Sequence, residues 1–340
     1  MPWMTGTSIN PMLRAAHLAK KGFNVSLVLP WLPLSEQAAV FPEGLRFEKP
    51  WQQEQYVRWW CENKANIEVP RVKILWYAAS YRAFLGAIIQ QDCDVVTVIP
   101  EAERDVVILE EPEHLNWYHH GKKWNEEYRH VVGIAHTNYL QYSRLNDKGT
   151  PGTLKEAFNR IMNIIVCYAY TDVVVKLSAT LEDMAQNNLV SNVHGVRAEF
   201  LAIGAASDSF PQGAYFLGKA LYTKGYRELF DVLKQYDAAM PGGLDGLEEI
   251  HTYGSGPDQE DIRAEVGAAS LPVRIHNGID HAHPSIHGYK VFINPSTSDV
   301  LCTATAEALA MGKKVLIPDH PSNHFFKQFT NTISYASTEE

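Results

Sequence analysis

The chain has 340 residues, 46% of them hydrophobic and 20% charged, with 30 lysines and arginines against 39 aspartates and glutamates for a formal charge of −9. That length suits about two domains, and so ordinary a composition excludes disorder, collagen-like repetition and coiled coil. A nucleic-acid protein needs a basic face and is excluded as well, whereas a small anionic ligand held by a few lysines is not.

The four cysteines, Cys61, Cys93, Cys167 and Cys302, lie far apart and never as CxxC. They read as free thiols, not as a structural zinc site or a disulfide scaffold. The longest apolar run, Ile161 to Tyr170, contains Asn163 and falls short of the ~18–20 residues a membrane span requires. Contact with a membrane surface remains open.

In chain order, the first residues read as a loop. Asn10 suits an N-cap and Pro11 the first turn of a helix that ends with Gly22 at C′. An α/β domain opens with a strand and none precedes this helix, so the first strand is expected to be missing. Strand-like runs follow at Val25–Leu29, Val72–Trp76, Val95–Ile99, Val106–Leu109, Val131–Ala135 and Val173–Leu177. Helical patterns fit Pro11–Lys21, Tyr81–Gln90 and Leu154–Tyr170. In the second half, strands fit Ala214–Leu217, Glu249–Tyr253, Val273–His276, Val291–Asn294 and Val315–Ile317. Helices there fit Tyr226–Gln235, Gln259–Val266 and Thr303–Met311. Strands alternating with helices predict parallel α/β layers, and continuous Val/Ile runs suit strands covered on both faces. The small, polar stretch from Gly204 to Ser209 reads as a linker. The expected domains are residues 1–203, lacking their first strand, and residues 213–340, whose C-terminal end is expected to be incomplete.

Two segments carry most of the chemistry. In Asn294 to Gly312 a strand ends, a loop follows and a helix begins near Thr303; unpaired amides and a positive dipole end there suit a phosphate. Thr303 and Glu307 are four apart on one helical face, and Glu307 is a lone carboxylate in an otherwise apolar run that wants a partner. Asp299 lies on the preceding loop. The second segment, Leu217 to Gly225, follows the first strand of the second half. It puts Lys219 and Lys224 at the carboxyl end of a parallel strand, where open α/β sheets bind ligands, and two ammonium groups there suit a diphosphate.

Lesser signals complete the set. His136 ends the strand Val131–Ala135 and reads either as a satisfied core histidine or as a sugar contact. Gly254-Ser255-Gly256-Pro257 is a tight turn but an incomplete dinucleotide fingerprint, and no complete Gly-x-Gly-x-x-Gly follows a strand, which argues against a nicotinamide dehydrogenase. Asp280-His281-Ala282-His283 with His287 has metal-like spacing in a loop without cysteine or a second carboxylate. All eight tryptophans fall before residue 125. Trp51, Trp59 and Trp60 crowd a charged segment and read either as core or as indoles at a lipid surface.

In this order the clusters resemble the retaining glycosyltransferases of family 4. The resemblance implies the GT-B fold, two Rossmann-like parallel-sheet domains facing a central cleft, the first binding acceptor and the second UDP-sugar. That family's glycine-rich loop, histidine, basic pair and Glu-x7-Glu motif correspond to Thr5-Gly6-Thr7, His136, Lys219 with Lys224, and Asp299-x7-Glu307. Lys219 stands where Arg is common and Asp299 where Glu is common, which keeps charge but changes reach and bidentate geometry.

Longer stretches, Pro2 to Thr7, Glu110 to Gly121, Asn192 to Val196, Val291 to Gly312 and Asp319 to Asn323, are similar to the galactolipid-forming plant and algal members of that family. This implies transfer of galactose from UDP-galactose to monogalactosyldiacylglycerol at the chloroplast outer envelope, by a peripheral protein. It also implies catalytic roles for His136, Lys219, Lys224 and Asp299, and donor contacts from Thr5, Gly6, Thr7, Cys302, Thr303 and Glu307. No cofactor or essential metal is implied, since lysines and amides neutralise the phosphates. Trp51, Trp59 and Trp60 are assigned to acceptor or membrane. A UDP-sugar-binding fragment without turnover, and a family 4 enzyme with another lipid or sugar acceptor, are the competing expectations.

Overall fold

The computed structural model describes residues 6–69, 71–83, 87–137, 153–192, 194–207, 209–239 and 241–336. The chain forms two compact units: Met1–Leu177 with Leu181–Val193, and Ser178–Thr180 with His194–Glu340.

The first unit holds β1 (Val25–Trp31), β2 (Val72–Arg82), β3 (Ala87–Gln90), β4 (Val106–Glu110), β5 (His130–Ala135), β6 (Val173–Lys176) and β7 (Asn188–Val190). They hydrogen-bond as two sheets, β1-β2-β3 and β4-β5-β6-β7. All pairs are parallel except β2 with β3. The helix Gly6–Lys20 packs Met12, Ala15, Ala16 and Ala19 against β1 and β2 residues such as Leu29 and Ile74, and its Arg14 reaches Glu110 at the end of β4.

Several expectations fail in this unit. The first helix starts at Gly6, so Asn10 is not its cap and Pro11 lies inside it. Pro11 only withholds one N–H from the carbonyl one turn earlier, a small loss near a helix start. Val95–Val98 is a 3-10 turn, not a strand. Asp94 caps it by accepting from the Val96 N–H at 3.1 Å, and the same carboxylate accepts from the Lys122 N–H. Tyr81–Gln90 is no helix: β2 runs on to Arg82 and pairs with β3 as an antiparallel hairpin, pinned where Glu36 accepts from the Tyr81 N–H and the Ser80 hydroxyl. The tryptophan-rich segment forms a helix, Pro50–Asn63.

In the second unit β8 (Gln212–Leu217), β9 (Ile250–Tyr253), β10 (Val273–His276), β11 (Tyr289–Ile293), β12 (Lys314–Pro318) and β13 (Thr332–Tyr335) make one parallel sheet in the order β10-β9-β8-β11-β12-β13. Counted from β8, this is the order 3-2-1-4-5-6 of dinucleotide-binding sheets. Successive residues point to opposite faces, and both faces are covered. Tyr215 and Phe292 enter one cluster with Phe200, Ala308 and Met311; Phe216 and Ile293 enter the other with Tyr226, Leu229 and Phe230.

Gly204 is not part of a linker. It lies within the last turn of a helix, Ala198–Ala206, whose approach to the helix Thr303–Ala310 is so close that a Cβ at Gly204 would stand 2.6 Å from the Ala310 carbonyl oxygen. The main segment of the second unit begins at His194, whereas the expected first domain runs to residue 203. Small residues here serve helix packing, which composition alone does not distinguish from a hinge.

One buried acid stands out. Glu113, in the helix Pro112–Trp117, is fully buried, and neither carboxyl oxygen has a hydrogen-bond partner among the described residues. Burial, with the neighbouring Glu111 charge adding to it, pushes its carboxyl from 4.5 up to about 8. The folded chain thus holds a proton that the unfolded chain has released, so the contribution of this group to stability is fully present below about pH 4.5 and is lost as pH rises towards about 8. Glu113→Gln is expected to flatten that decline, which amounts to at most ~1.4 kcal/mol per pH unit. Urea unfolding across the pH range checks it; an unaltered slope would refute it.

Candidate active site

The second unit's sheet reverses its strand order between β8 and β11, which pair side by side through Val291 with Ala214 and Phe292 with Tyr215. Ligands of open α/β sheets bind beyond the carboxyl ends of the strands at such a point. Two loops leave there. After β8 the chain passes Gly218, Lys219 and Ala220 into a 3-10 turn, Tyr222–Lys224, and then Gly225 in the left-handed region at φ 98°. After β11 it runs from Asn294 to Cys302, which is the N-cap of the helix Thr303–Ala310.

These loops lock together. A Cβ at Gly225 would lie 2.7 Å from the Ser296 nitrogen and 2.8 Å from the Pro295 carbonyl carbon, so only glycine permits the approach. The Ser298 hydroxyl donates to the Thr223 carbonyl at 2.5 Å, and Lys224 Nζ donates to Asp299 Oδ1 at 2.5 Å. Asn294, buried at the end of β11, donates to the Thr305 hydroxyl at 3.2 Å and accepts from the Ser296 N–H. The turn after β9 braces the other side: the Ala220 N–H donates to the Ser255 carbonyl and the Tyr222 N–H to Asp258. A Cβ at Gly254 would stand 1.8 Å from the Gly218 oxygen. The Gly-Ser-Gly turn that fails as a fingerprint is where this backbone crosses the β8 loop.

The structure thus brings together Lys224, Asp299, Cys302 and Thr303. Lys224 and Asp299 retain only 24% and 15% side-chain exposure. The Lys224 ammonium meets Asp299. Cys302 has extended backbone and no side-chain cap bond, leaving the helix start with the amide donors and positive dipole end that attract an anion. Burial, then the charge of Asp299, pushes the Cys302 thiol up to about 12. Thr303 is exposed at the helix start. Lys219 is exposed on the β8 loop, and its ammonium has no partner among the described residues.

Glu307 turns to a partner that sequence reasoning missed. Its Oε2 lies 2.8 Å from His281 Nδ1, and His281 Nε2 lies 2.7 Å from the hydroxyl of the buried Tyr215. The signal was the Asp280-His281-Ala282-His283 spacing, read there as metal-like.

In the first unit, His136 at the end of β5 contacts Glu110 Oε2 through Nε2 at 2.5 Å, and Arg14 Nε donates to Glu110 Oε1 at 2.9 Å. Burial pushes the Glu110 carboxyl up, but the hydrogen bonds and charges of His136 and Arg14 hold it below the ordinary value. The next residue, Glu111, sits in the left-handed region at φ 58° and accepts from the Thr137 hydroxyl. A non-glycine residue so placed beside an ionic cluster is strained backbone of the kind found at binding sites. Arg14 and Glu110 were not singled out from the sequence; the available cue was paired acids before a proline at a strand end.

Three expectations need correction or fall outside view. Thr5 lies outside the described residues. Gly6 and Thr7 form the first turn of a helix and not a loop. Trp60 is 6% exposed in the core with Met12 and Val57, whereas Trp51 and Trp59 are 53% and 47% exposed. Three tryptophans at positions 51, 59 and 60 of one helix cannot share a face, so the last is turned inward.

No family model matches the chain. Digalactosyldiacylglycerol synthase 1, chloroplastic, of Glycine max is 44% identical over 349 residues, covering 100% of this chain and 43% of that protein. Digalactosyldiacylglycerol synthase 2, chloroplastic, of Glycine max is 40% identical over 344 residues, covering 98% of this chain and 72% of that protein; its Arabidopsis thaliana counterpart is 41% identical over 344 residues, covering 98% and 70%. The chain therefore spans less than half the length of the synthase 1 relative and about seven-tenths of the synthase 2 relatives. A solved sucrose-phosphate synthase from Thermosynechococcus elongatus matches with TM-score 0.52 at 12% identity, over 92% of this chain and 86% of that one. That likeness is one of fold. The fold class is GT-B, an α/β architecture of Rossmann-like parallel-sheet units.

The tight loop crossing can be tested directly. Gly225→Ala is expected to lower the unfolding free energy by about 1–3 kcal/mol, through strain at positive φ and through the backbone contacts it would violate. Chemical denaturation reads this; a variant as stable as the parent would mean that the loops part without cost.

Proposed function

This chain belongs to the digalactosyldiacylglycerol synthase family, and from that premise we propose that it is a retaining galactosyltransferase moving galactose from UDP-galactose onto monogalactosyldiacylglycerol to give digalactosyldiacylglycerol. The observation that carries the reading is the half-buried Lys224–Asp299 pair beside the uncapped start of the helix Thr303–Ala310, on the switch point of a dinucleotide-type sheet.

The chemistry is placement and electrostatics. As the bond from galactose C1 to the phosphate oxygen breaks, negative charge builds on the β-phosphate of UDP. Lys224 and the amides from Cys302 and Thr303 are held in advance against that charge, and Lys219, exposed on the same loop, adds a second cation. Asp299 serves the galactose hydroxyls, and Glu307 accepts from the uridine ribose. The acceptor hydroxyl attacks C1 on the face that UDP leaves, and its proton passes to the departing phosphate oxygen, which needs neither a protein nucleophile nor a metal. In the first unit, His136, held by Glu110 and Arg14, contacts sugar. Gly6 and Thr7 offer a donor the amides of a helix start.

The acceptor carries two acyl chains, so the protein must meet a lipid surface. Among the described residues no helix is long and apolar enough to cross a membrane. Trp51 and Trp59 remain exposed, and the helix Thr153–Tyr170 exposes Phe158, Ile161, Ile165 and Tyr168 at helical spacing. The surface they meet is the outer envelope of the plastid, with the protein bound peripherally. The chloroplastic designation of the relatives supports the plastid half of that reading.

Labelled UDP-galactose, with UDP-glucose beside it, is incubated with monogalactosyldiacylglycerol; a digalactosyl product supports the proposal and its absence defeats it. Lys224→Ala is expected to cut turnover by ~10²–10³ with little change in melting temperature, and undiminished turnover would remove the phosphate role. In vesicle co-sedimentation, the Trp51→Ala/Trp59→Ala double variant is expected to lose most of its lipid binding; Trp60 is left intact because its loss would open the core. Unchanged binding would exclude that helix from the lipid contact.

A further inference from the structure

Glu307 stands in a helix whose neighbouring positions, Ala306, Ala308, Leu309 and Ala310, are apolar. Its carboxylate is not left to choose its own rotamer. It is met by His281, a side chain only 3% exposed, on the loop after β10. The imidazole sits among Phe200, Tyr215 and Phe292, with ring centroids 5.8, 5.7 and 5.7 Å away. That packing fixes the plane of the ring, and the hydrogen bonds fix its proton. A carboxylate can only accept, so His281 Nδ1 donates to Glu307 Oε2 at 2.8 Å. Nε2 is then the acceptor for the Tyr215 hydroxyl at 2.7 Å. Burial, with the charge of Glu307 adding to it, holds the Tyr215 phenol well above its ordinary range, so it keeps the proton it donates. Three chain segments distant in sequence, β8, the β10 loop and the Thr303–Ala310 helix, thus converge on one carboxylate oxygen.

We infer that His281 is the positioning residue for Glu307: the Tyr215–His281 chain occupies one carboxylate oxygen and turns the other towards the vicinal hydroxyls of a nucleoside diphosphate's ribose. The inference rests on the donor reading above and deepens it. Among the described residues Glu307 bonds through Oε2, and its side chain keeps 24% exposure against 3% for His281, so the oxygen held by protein is on the buried side. A carboxylate fixed before binding spares the ligand the cost of ordering a flexible side chain. A lone Glu on the same helix would have to be ordered by the ribose itself.

The test uses the full chain, with UDP and 2′,3′-dideoxy-UDP as calorimetric ligands. The parent is expected to favour UDP, and Glu307→Ala to abolish that preference. His281→Phe, which keeps the aromatic packing but has no N–H, is expected to shrink the preference about tenfold while leaving affinity for dideoxy-UDP unchanged. His281→Asn, whose amide can replace the Nδ1–H, is expected to restore much of it. Tyr215→Phe, which removes only the hydroxyl that sets the ring's proton, is expected to weaken the preference and serves if His281→Phe does not fold. A full preference in both His281→Phe and Tyr215→Phe, or in whichever of them folds, would overturn the inference. Equal loss of both ligands would also overturn it, by assigning His281 to packing alone. If Glu307→Ala keeps the parent's preference, the ribose role of Glu307 itself falls, an outcome distinct from the failure of His281.

Discussion

The backbone of Gly225 rests on the backbone of Pro295 and Ser296 without a side chain between them. That contact joins the loop after β8 to the loop after β11, and the rest of the second unit's site is arranged by it. It sets the Lys224 ammonium on Asp299, lets the Ser298 hydroxyl reach the Thr223 carbonyl, and leaves the start of the Thr303–Ala310 helix uncapped beside them. The glycines of the neighbouring turn repeat the device. Gly254 and Gly256 lie so close to Gly218 and Ala220 that any Cβ would collide with main-chain oxygen. Three crossovers from one sheet can converge only where backbone replaces side chain, and in a parallel sheet the place for it is the point where strand order reverses.

This explains which parts of the fold could be read from the residues. In the second unit, helices such as Gln259–Ala268 and strands such as Val273–His276 and Lys314–Pro318 fall where hydropathy put them, because a sheet covered on both faces writes continuous apolar runs between amphipathic helices. The first unit was harder. Val95-Val96-Thr97-Val98 has the composition of a strand, yet Asp94 converts it to a capped turn by a bond to a backbone N–H two residues on and another to Lys122. Tyr81–Gln90 looked helical because its apolar positions also fit that period, and the pairing that decides the matter, Tyr81 with Ile88, is a hairpin contact that no periodicity reports. The helix Pro50–Asn63 was hidden by its mixture of charge and indole.

The site was legible in types but not in partners. Lys224 and Asp299 could be proposed from strand-end placement, but their ion pair joins positions 75 apart and exists only because β8 and β11 are neighbours. Glu307 was expected to want a partner, and His281 had been noticed only for its metal-like spacing, because nothing in sequence joins it to a helix it approaches from across the sheet. His136 was caught between two readings. Its bond to Glu110 shows the satisfied histidine, and the sugar contact rests on the proposed function alone. Trp60 shows the reverse case: adjacent tryptophans look equivalent in a list of residues and are opposite in a helix.

The thiol at the head of the Thr303–Ala310 helix has a chemical consequence. Helix starts ordinarily sharpen a cysteine into a reactive thiolate, but burial and the Asp299 carboxylate hold Cys302 at about 12. Peroxides and alkylating reagents attack the ionised sulfur, so this one is sheltered where a reactive sulfur would be most damaging. Cys61, buried and held at about 11, is sheltered by the same means. Thiol-directed reagents are therefore expected to modify Cys302 slowly at neutral pH.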